Sequence, residues 1–343
     1  MKRLTVILVA AAVATVACGS SSEETTVAAA SEGQTSSSGA GVSSTGSGAS
    51  SGTGGSSPDA VTAFYDDFHA SRFSMAKTDA KGLDDAMKAD PEAGDLSIVH
   101  GLSHLWHLAE IGRSATMPDA SELQAEGAGL LAAFTAAKQN NPDDGRVDCW
   151  LGLSQLGAGT ATGNDSLVQQ GYATIEEGVA KYPEFNLFCR ALAYAALPAT
   201  DPDYSKAVDA LFDTLDVCFD TKVDRANPDI TSYLGLATDQ GPKRVCWNDA
   251  VAPHGAEGFY LYFGDLLVKQ GNVDVAKIVF ANVKLIKEYD AWPYKSLLEA
   301  RLGSDLTAKA ALYQDADPTN DPPLAGDETN HGCTYCHAAT AAE

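Results

Sequence analysis

Three segments of this chain share one pattern. A large apolar residue is followed three positions later by a small one, and five positions after that by proline: Leu83, Ala86, Pro91; Phe134, Ala137, Pro142; Ile175, Gly178, Pro183. The small residue, one turn on, lets a neighbouring helix approach closely, and the proline ends the helix before the next one starts. A pattern repeated in this way commits the chain to helix hairpins stacked on one another. Elsewhere the apolar spacing is heptad-like, as in Ala60, Phe64 and Phe68 behind the start signals Pro58 and Asp59. The spacing predicts helices over 59–71, 74–89, 94–111, 119–140, 145–158, 165–181, 185–197, 203–219, 253–270, 273–288 and 292–313. The expected fold class is all-α, and stacked pairs of this kind present a concave surface.

The residues Gly264, Gly271, Ala276 and Phe280, at spacings of +7, +12 and +16, resemble a tetratricopeptide repeat. The closing proline of that family is missing here, and the hairpins before it carry insertions of variable length. The resemblance covers about residues 74–290. It implies a helical-hairpin solenoid whose groove binds a partner protein; a generic helical bundle is the other arrangement the pattern allows. Residues 59–316 then form the helical repeat domain. One stretch, 224–253, breaks the rhythm with Pro228, Gly235, Gly241 and Pro242, and reads as an insertion packed against the solenoid. Trp247, His254 and Glu257, close to the following helix start, are the alternative: a site.

The N-terminus reads as an export signal. Met1-Lys2-Arg3 is a positive n-region, and Leu4 to Ala17 is an apolar run too short to span a bilayer. The sequence Thr15-Val16-Ala17-Cys18-Gly19 resembles a bacterial lipobox, although Thr15 stands where leucine is usual. The resemblance implies that residues 1–17 are removed and that Cys18 becomes a lipidated N-terminus. An ordinary signal peptide with a cysteine at the cleavage point is the alternative. Residues 18–58 are rich in Ser, Gly, Thr and Ala, and cannot offset their ordering entropy by burial. Such a flexible tether spans about 35 Å on average. Gly19 after the cysteine implies the outer rather than the inner membrane of a bacterial cell envelope.

Charge excludes some partners. The chain carries 23 Lys+Arg against 46 Asp+Glu, a net charge of −23. That argues against nucleic acid, whose binding depends on basic side chains, and against docking on anionic lipid through a basic patch. There is no Gly-Lys-Ser/Thr phosphate loop, no Gly-x-Ser-x-Gly elbow and no His-Glu-x-x-His, so nothing marks a hydrolase.

Of seven cysteines, Cys18 is assigned to lipid, and Cys333 and Cys336 belong to a motif of their own. Cys149, Cys189, Cys218 and Cys246 remain, an even number in an exported chain, where disulfides persist. Three pairings are possible. Consecutive pairing, Cys149 with Cys189 and Cys218 with Cys246, is the simplest; four buried thiols are the alternative.

The tail, 317–343, carries the sharpest chemical signal: Cys333-Thr334-Tyr335-Cys336-His337. Cys-x-x-Cys-His is the attachment motif of c-type cytochromes. Two thiols on one helical turn each form a thioether to a haem vinyl group, and the adjacent imidazole becomes the proximal iron ligand. Six residues follow His337, so the pocket is expected from the preceding tail and the helical body. Candidates for a second axial ligand are Met75, Met87, Met117, His69, His100, His104, His107, His254 and His331. A Cys333–Cys336 disulfide, or zinc held by these cysteines with His331 or His337, are the alternatives. A further stripe stands apart: His100, His104 and His107 project within about 60° of one another on one helix face, where they could hold zinc or copper.

These readings converge on a membrane-anchored c-type haem lipoprotein, engaged in one-electron transfer or haem-based sensing on a helical-repeat scaffold. The alternative is a non-enzymatic scaffold that binds a partner protein, with Cys333 and Cys336 bridged or holding zinc.

Overall fold

The computed structural model describes residues 57–113, 120–237, 240–246, 252–315, 317, 320–324 and 336–339. The leader, Cys18 and almost all of the tether lie outside the described residues. What is described is an all-α stack of helix hairpins, with no strand among these residues. In chain order the helices are α1 Ser57–His69, α2 Ala76–Ala89, α3 Gly94–Arg113, α4 Ala120–Asn140, α5 Gly145–Thr162 and α6 Asp165–Lys181. They continue as α7 Pro183–Ala195, α8 Ser205–Phe219, α9 Gly255–Gln270, α10 Val273–Asn282, α11 Lys295–Leu302 and α12 Leu306–Tyr313. From α1 to α8 each helix packs on the next; α9 and α10 form a further hairpin, and α5 also touches α7. None of the described helices is long and apolar enough to cross a membrane.

The recurring spacing has a direct structural meaning. Phe134, Ile175 and Phe280, the large residues of their units, are buried, and each seats on a glycine of the preceding helix: Gly101, Gly152 and Gly264. A Cβ at any of these glycines would collide with the opposing side chain, so the axes of each hairpin approach at glycine. The small residues play their expected part. Ala137 is fully buried, and Gly178 lies against Asn186 of α7 and Asp148 of α5. Asn186 in turn donates to the carbonyls of Gly145 and Tyr182, 2.9 and 3.0 Å away, which locks the α5–α7 corner.

Helix ends follow local chemistry. Asp144 accepts from the N–H of Arg146 to start α5, and Asn164 accepts from Leu167 to start α6. Pro183 opens α7 two residues earlier than the periodicity placed it, because the first turn of a helix needs no N–H there. Gly271 closes α9 with φ of 89°, a conformation other residues resist.

The sequence predicts one helix over 292–313; the structure has two. Residues 303–305 separate α11 from α12, and Asp305 caps α12 by accepting from Ala308. A capping side chain inside an apolar period outweighs the period. Likewise α10 ends at Asn282, not at 288. Its side chain accepts from the Ile230 N–H and donates to the Pro228 carbonyl, pinning the insertion to the stack. That insertion also hangs on Asp216, which receives Arg225, Lys222 and the N–H of Val223.

Both disulfides take the consecutive pairing. Cys149 of α5 joins Cys189 of α7, and Cys218 of α8 joins Cys246 at the end of a 3-10 turn, with Cα separations of 5.6 and 6.0 Å. They close loops of 40 and 28 residues, each worth roughly 3–4 kcal/mol on the chain-entropy model.

Candidate functional sites

Two clusters of chemically competent side chains lie on the first half of the stack. The first involves the tail. Cys333, His331 and Met117 lie outside the described residues, but Cys336 to Ala339 are placed. The N–H of His254, just before α9, donates to the Cys336 carbonyl at 2.9 Å, and the N–H of Ala339 donates to the His69 carbonyl at 2.9 Å. The tail therefore lies between the last residue of α1 and the first turn of α9.

Cys336 and His337 are both buried there, and Cys336 is a free thiol with Sγ 4.0 Å from the Gly255 carbonyl. The His337 ring lies 4.9 Å from that of Phe68 and 6.3 Å from that of His69 between centroids, with the two imidazole planes 9° apart. Behind Phe68 stand Trp106, at 5.2 Å, and Phe64, so the far wall is aromatic. His254 is buried with Nδ1 3.2 Å from Oε1 of the equally buried Glu257. Of the candidate second ligands, only His69 is brought against the His337 ring among the described contacts. His254 meets the tail through its backbone and turns its ring to Glu257. Trp247 lies outside the described residues.

The second cluster is built on α3. His100 Nε2 lies 2.8 Å from Asp84 Oδ1 of α2 and 3.2 Å from His104 Nε2, and His104 Nε2 lies 3.7 Å from the same Asp84 oxygen. His104 Nδ1 sits 2.8 Å from Glu126 Oε2 of α4. Since a carboxylate only accepts, this nitrogen carries the proton and leaves the Nε2 lone pair facing the cluster. His107 belongs to the same stripe, but its Nδ1 is 3.1 Å from the other Glu126 oxygen and its Nε2 4.0 Å from Glu122. The sequence grouped His100, His104 and His107; the structure gathers His100 and His104 with Asp84, and turns His107 to the acids of α4. Helical spacing placed the three imidazoles on one face but could not show which acids the neighbouring helices bring.

Electrostatics fit this division. Burial lowers the pKa of His100, and neighbouring His104 adds to that against the pull of Asp84, so its imidazole is held neutral at pH 7. Burial alone would raise Glu126, but the hydrogen bonds from His104 and His107 win and hold it down to about 2. Asp79, on the buried side of α2, is pushed up to about 7 by burial and by the Asp67 carboxylate beside it.

No protein-family model, no curated protein and no solved structure matches this chain.

Proposed function

We propose that this chain is an exported lipoprotein carrying one covalent c-type haem, and that it moves single electrons on a helical-repeat scaffold. Cys333 and Cys336 would hold the porphyrin through thioethers, and His337 would be the proximal ligand. His69 would be the distal one.

The observation that carries this reading is the contiguous Cys333-x-x-Cys336-His337 motif, which sets two thiols and an imidazole at the spacing of thioether attachment. His69 is the candidate imidazole brought against His337, 6.3 Å between ring centroids. The Phe68 ring lies 4.9 Å from His337 and 6.1 Å from His69, so it has to turn aside for a macrocycle to enter between them. Cys336 is buried next to His337 and belongs to neither disulfide, and Phe64, Phe68 and Trp106 form an aromatic wall of the kind a low-dielectric haem site needs. When bound, haem supplies a one-electron couple. Cys333, Cys336 and His337 would hold it, with His69 as a further ligand, and the aromatic cluster would exclude water.

The lipid on Cys18 would hold the domain at the cell envelope, and the tether would let it reach partners from the outer membrane. A net charge of −23 favours a basic redox partner, steered in at long range, while the groove of the stack would seat a protein. Haem-based sensing uses the same site and differs only in the partner.

The test is the absorption spectrum of protein matured outside the cytoplasm. The expected result is a Soret band that survives denaturation and acid extraction, and disappears in Cys333→Ala with Cys336→Ala. A wild-type protein with no haem would leave the partner-binding scaffold, with its tail cysteines bridged or holding zinc. Cys18→Ser should release the protein into the soluble exported fraction; unchanged membrane retention would remove the lipid anchor from the proposal.

A further inference from the structure

We propose that Asp84, His100 and His104 form a tetrahedral zinc(II) site with three protein ligands and one position open to water. It does not rest on the haem reading, and the two can fail separately.

The geometry is specific. The three facing ligand atoms, Asp84 Oδ1, His100 Nε2 and His104 Nε2, are separated by 2.8, 3.2 and 3.7 Å. A triangle of these sides has a circumradius of about 1.9 Å, so a point about 2.05 Å from all three atoms lies about 0.7 Å off their plane. In a tetrahedral centre a metal stands one third of a bond length, about 0.7 Å, from the plane of any three of its ligands. In an octahedral centre with three adjacent ligands the height would be about 1.2 Å. The triangle is that of a distorted four-coordinate centre, with ligand–metal–ligand angles of about 86°, 103° and 129°.

The surroundings match what such centres need. His104 hands its Nδ1 proton to Glu126, the carboxylate–histidine arrangement that fixes the tautomer and orients a ligating ring. Glu126 also holds His107, which keeps that carboxylate in place. Two carboxylates, Asp84 and Glu126, balance the charge of a divalent cation. Both imidazoles are largely buried, whereas the Asp84 side chain is 41% exposed, so one flank of the site is open to water. Two imidazoles and one carboxylate suit borderline ions such as zinc; calcium and magnesium take oxygen ligands. Without a metal, the one proton on His100 Nε2 serves both Asp84 Oδ1 at 2.8 Å and His104 Nε2 at 3.2 Å, and a cation would take the place of that proton.

The full mature chain, dialysed against chelator and then given zinc alone, should bind one equivalent. X-ray absorption at the zinc edge should report four nitrogen or oxygen neighbours, with the signature of two imidazoles. Asp84→Asn and His104→Gln should each weaken zinc binding by 100-fold or more, and Glu126→Gln by about 10- to 100-fold through the outer shell. His107→Gln separates this triad from the histidine stripe and should cost less than Glu126→Gln. Circular dichroism and resistance of the disulfides to alkylation check that each variant is folded. The proposal is overturned if wild type and Asp84→Asn take up zinc equally. It is also overturned if His107→Gln costs as much as His104→Gln, or if the edge spectrum shows six-fold coordination. The surface-exposed Asp84 keeps the test usable should His104→Gln not fold.

Discussion

The tail centre and the α2–α4 triad are assembled by opposite routes. The triad is local: its ligands come from residues 84 to 104 on two consecutive helices, with a third helix supplying the outer carboxylates. The tail centre is remote: its two histidines stand at opposite ends of the described chain, and α9 closes it from the side. The chemistry proposed for the remote centre has the plainer mark in sequence, because Cys-x-x-Cys-His is a contiguous motif. The completion of the local one is less plain, because its third ligand is one of 46 acidic residues and nothing in its immediate sequence marks Asp84. Motif strength and spatial locality are independent.

That contrast can be broken most sharply by removing both tail thiols. Cys333→Ala with Cys336→Ala should abolish covalent haem completely and leave zinc uptake at Asp84, His100 and His104 unchanged. A parallel loss of zinc, read by metal content, would mean that the two centres depend on one another. The next largest effect is at His69. His69→Ala should retain the haem but convert a six-coordinate low-spin iron to a high-spin one, read by electron paramagnetic resonance. A spectrum unaffected by His69→Ala would remove that residue as a ligand and leave the proximal assignment standing.

A glycine tests the triad without touching a ligand. A Cβ at Gly129 of α4 would lie 2.9 Å from His104 Cε1. Gly129→Ala should therefore displace the ring and weaken zinc binding severalfold while the haem spectrum stays constant. Gly264→Ala, far from both, forces the Phe280 ring away and should cost about 1–3 kcal/mol in chemical denaturation with neither cofactor altered.

The smallest expected effect is on pH dependence. Asp79 of α2 lies beside Asp67 of α1, and burial with that carboxylate raises its pKa to about 7. An unfolded aspartate titrates near 3.9. The folded state thus binds the proton more tightly, and the stability this adds is complete below about pH 4 and lost as pH rises through 7. Asp79→Asn should flatten that part of the stability–pH curve, measured by denaturant midpoints; an unchanged slope would mean that Asp79 is ionised in the fold.

Helix boundaries are readable where an oxygen-bearing cap marks them, as at Asp144 behind Pro142 and at Asn164, whereas at Pro183 the apolar period sets the start two residues late. They were misread where a cap lies inside an apolar period, at Asp305, or where a side chain bonds a distant segment, at Asn282. The disulfides were readable by parity and order. The seating of Phe134 on Gly101 is not, because the two lie 33 positions apart on different helices and no local spacing encodes how those helices meet. His69 was one name in a long set of possible ligands; only its contact with a tail about 270 residues away singles it out.

The backbone bond between Ala339 and His69 has a consequence for how the protein is made. Helix hairpins from α1 to α8 join neighbours in sequence and can form as the chain emerges, because closing short loops is entropically cheap. The tail centre cannot. The tail has to find the end of α1, about 270 positions earlier in the chain, and it meets the start of α9 in the same place. A chain truncated anywhere before residue 336, or stalled with α9 undocked, offers His69 no second imidazole. A prosthetic group that needs both histidines would then be seated firmly only where α1, α9 and the tail have met, so its occupancy would record the completeness of folding.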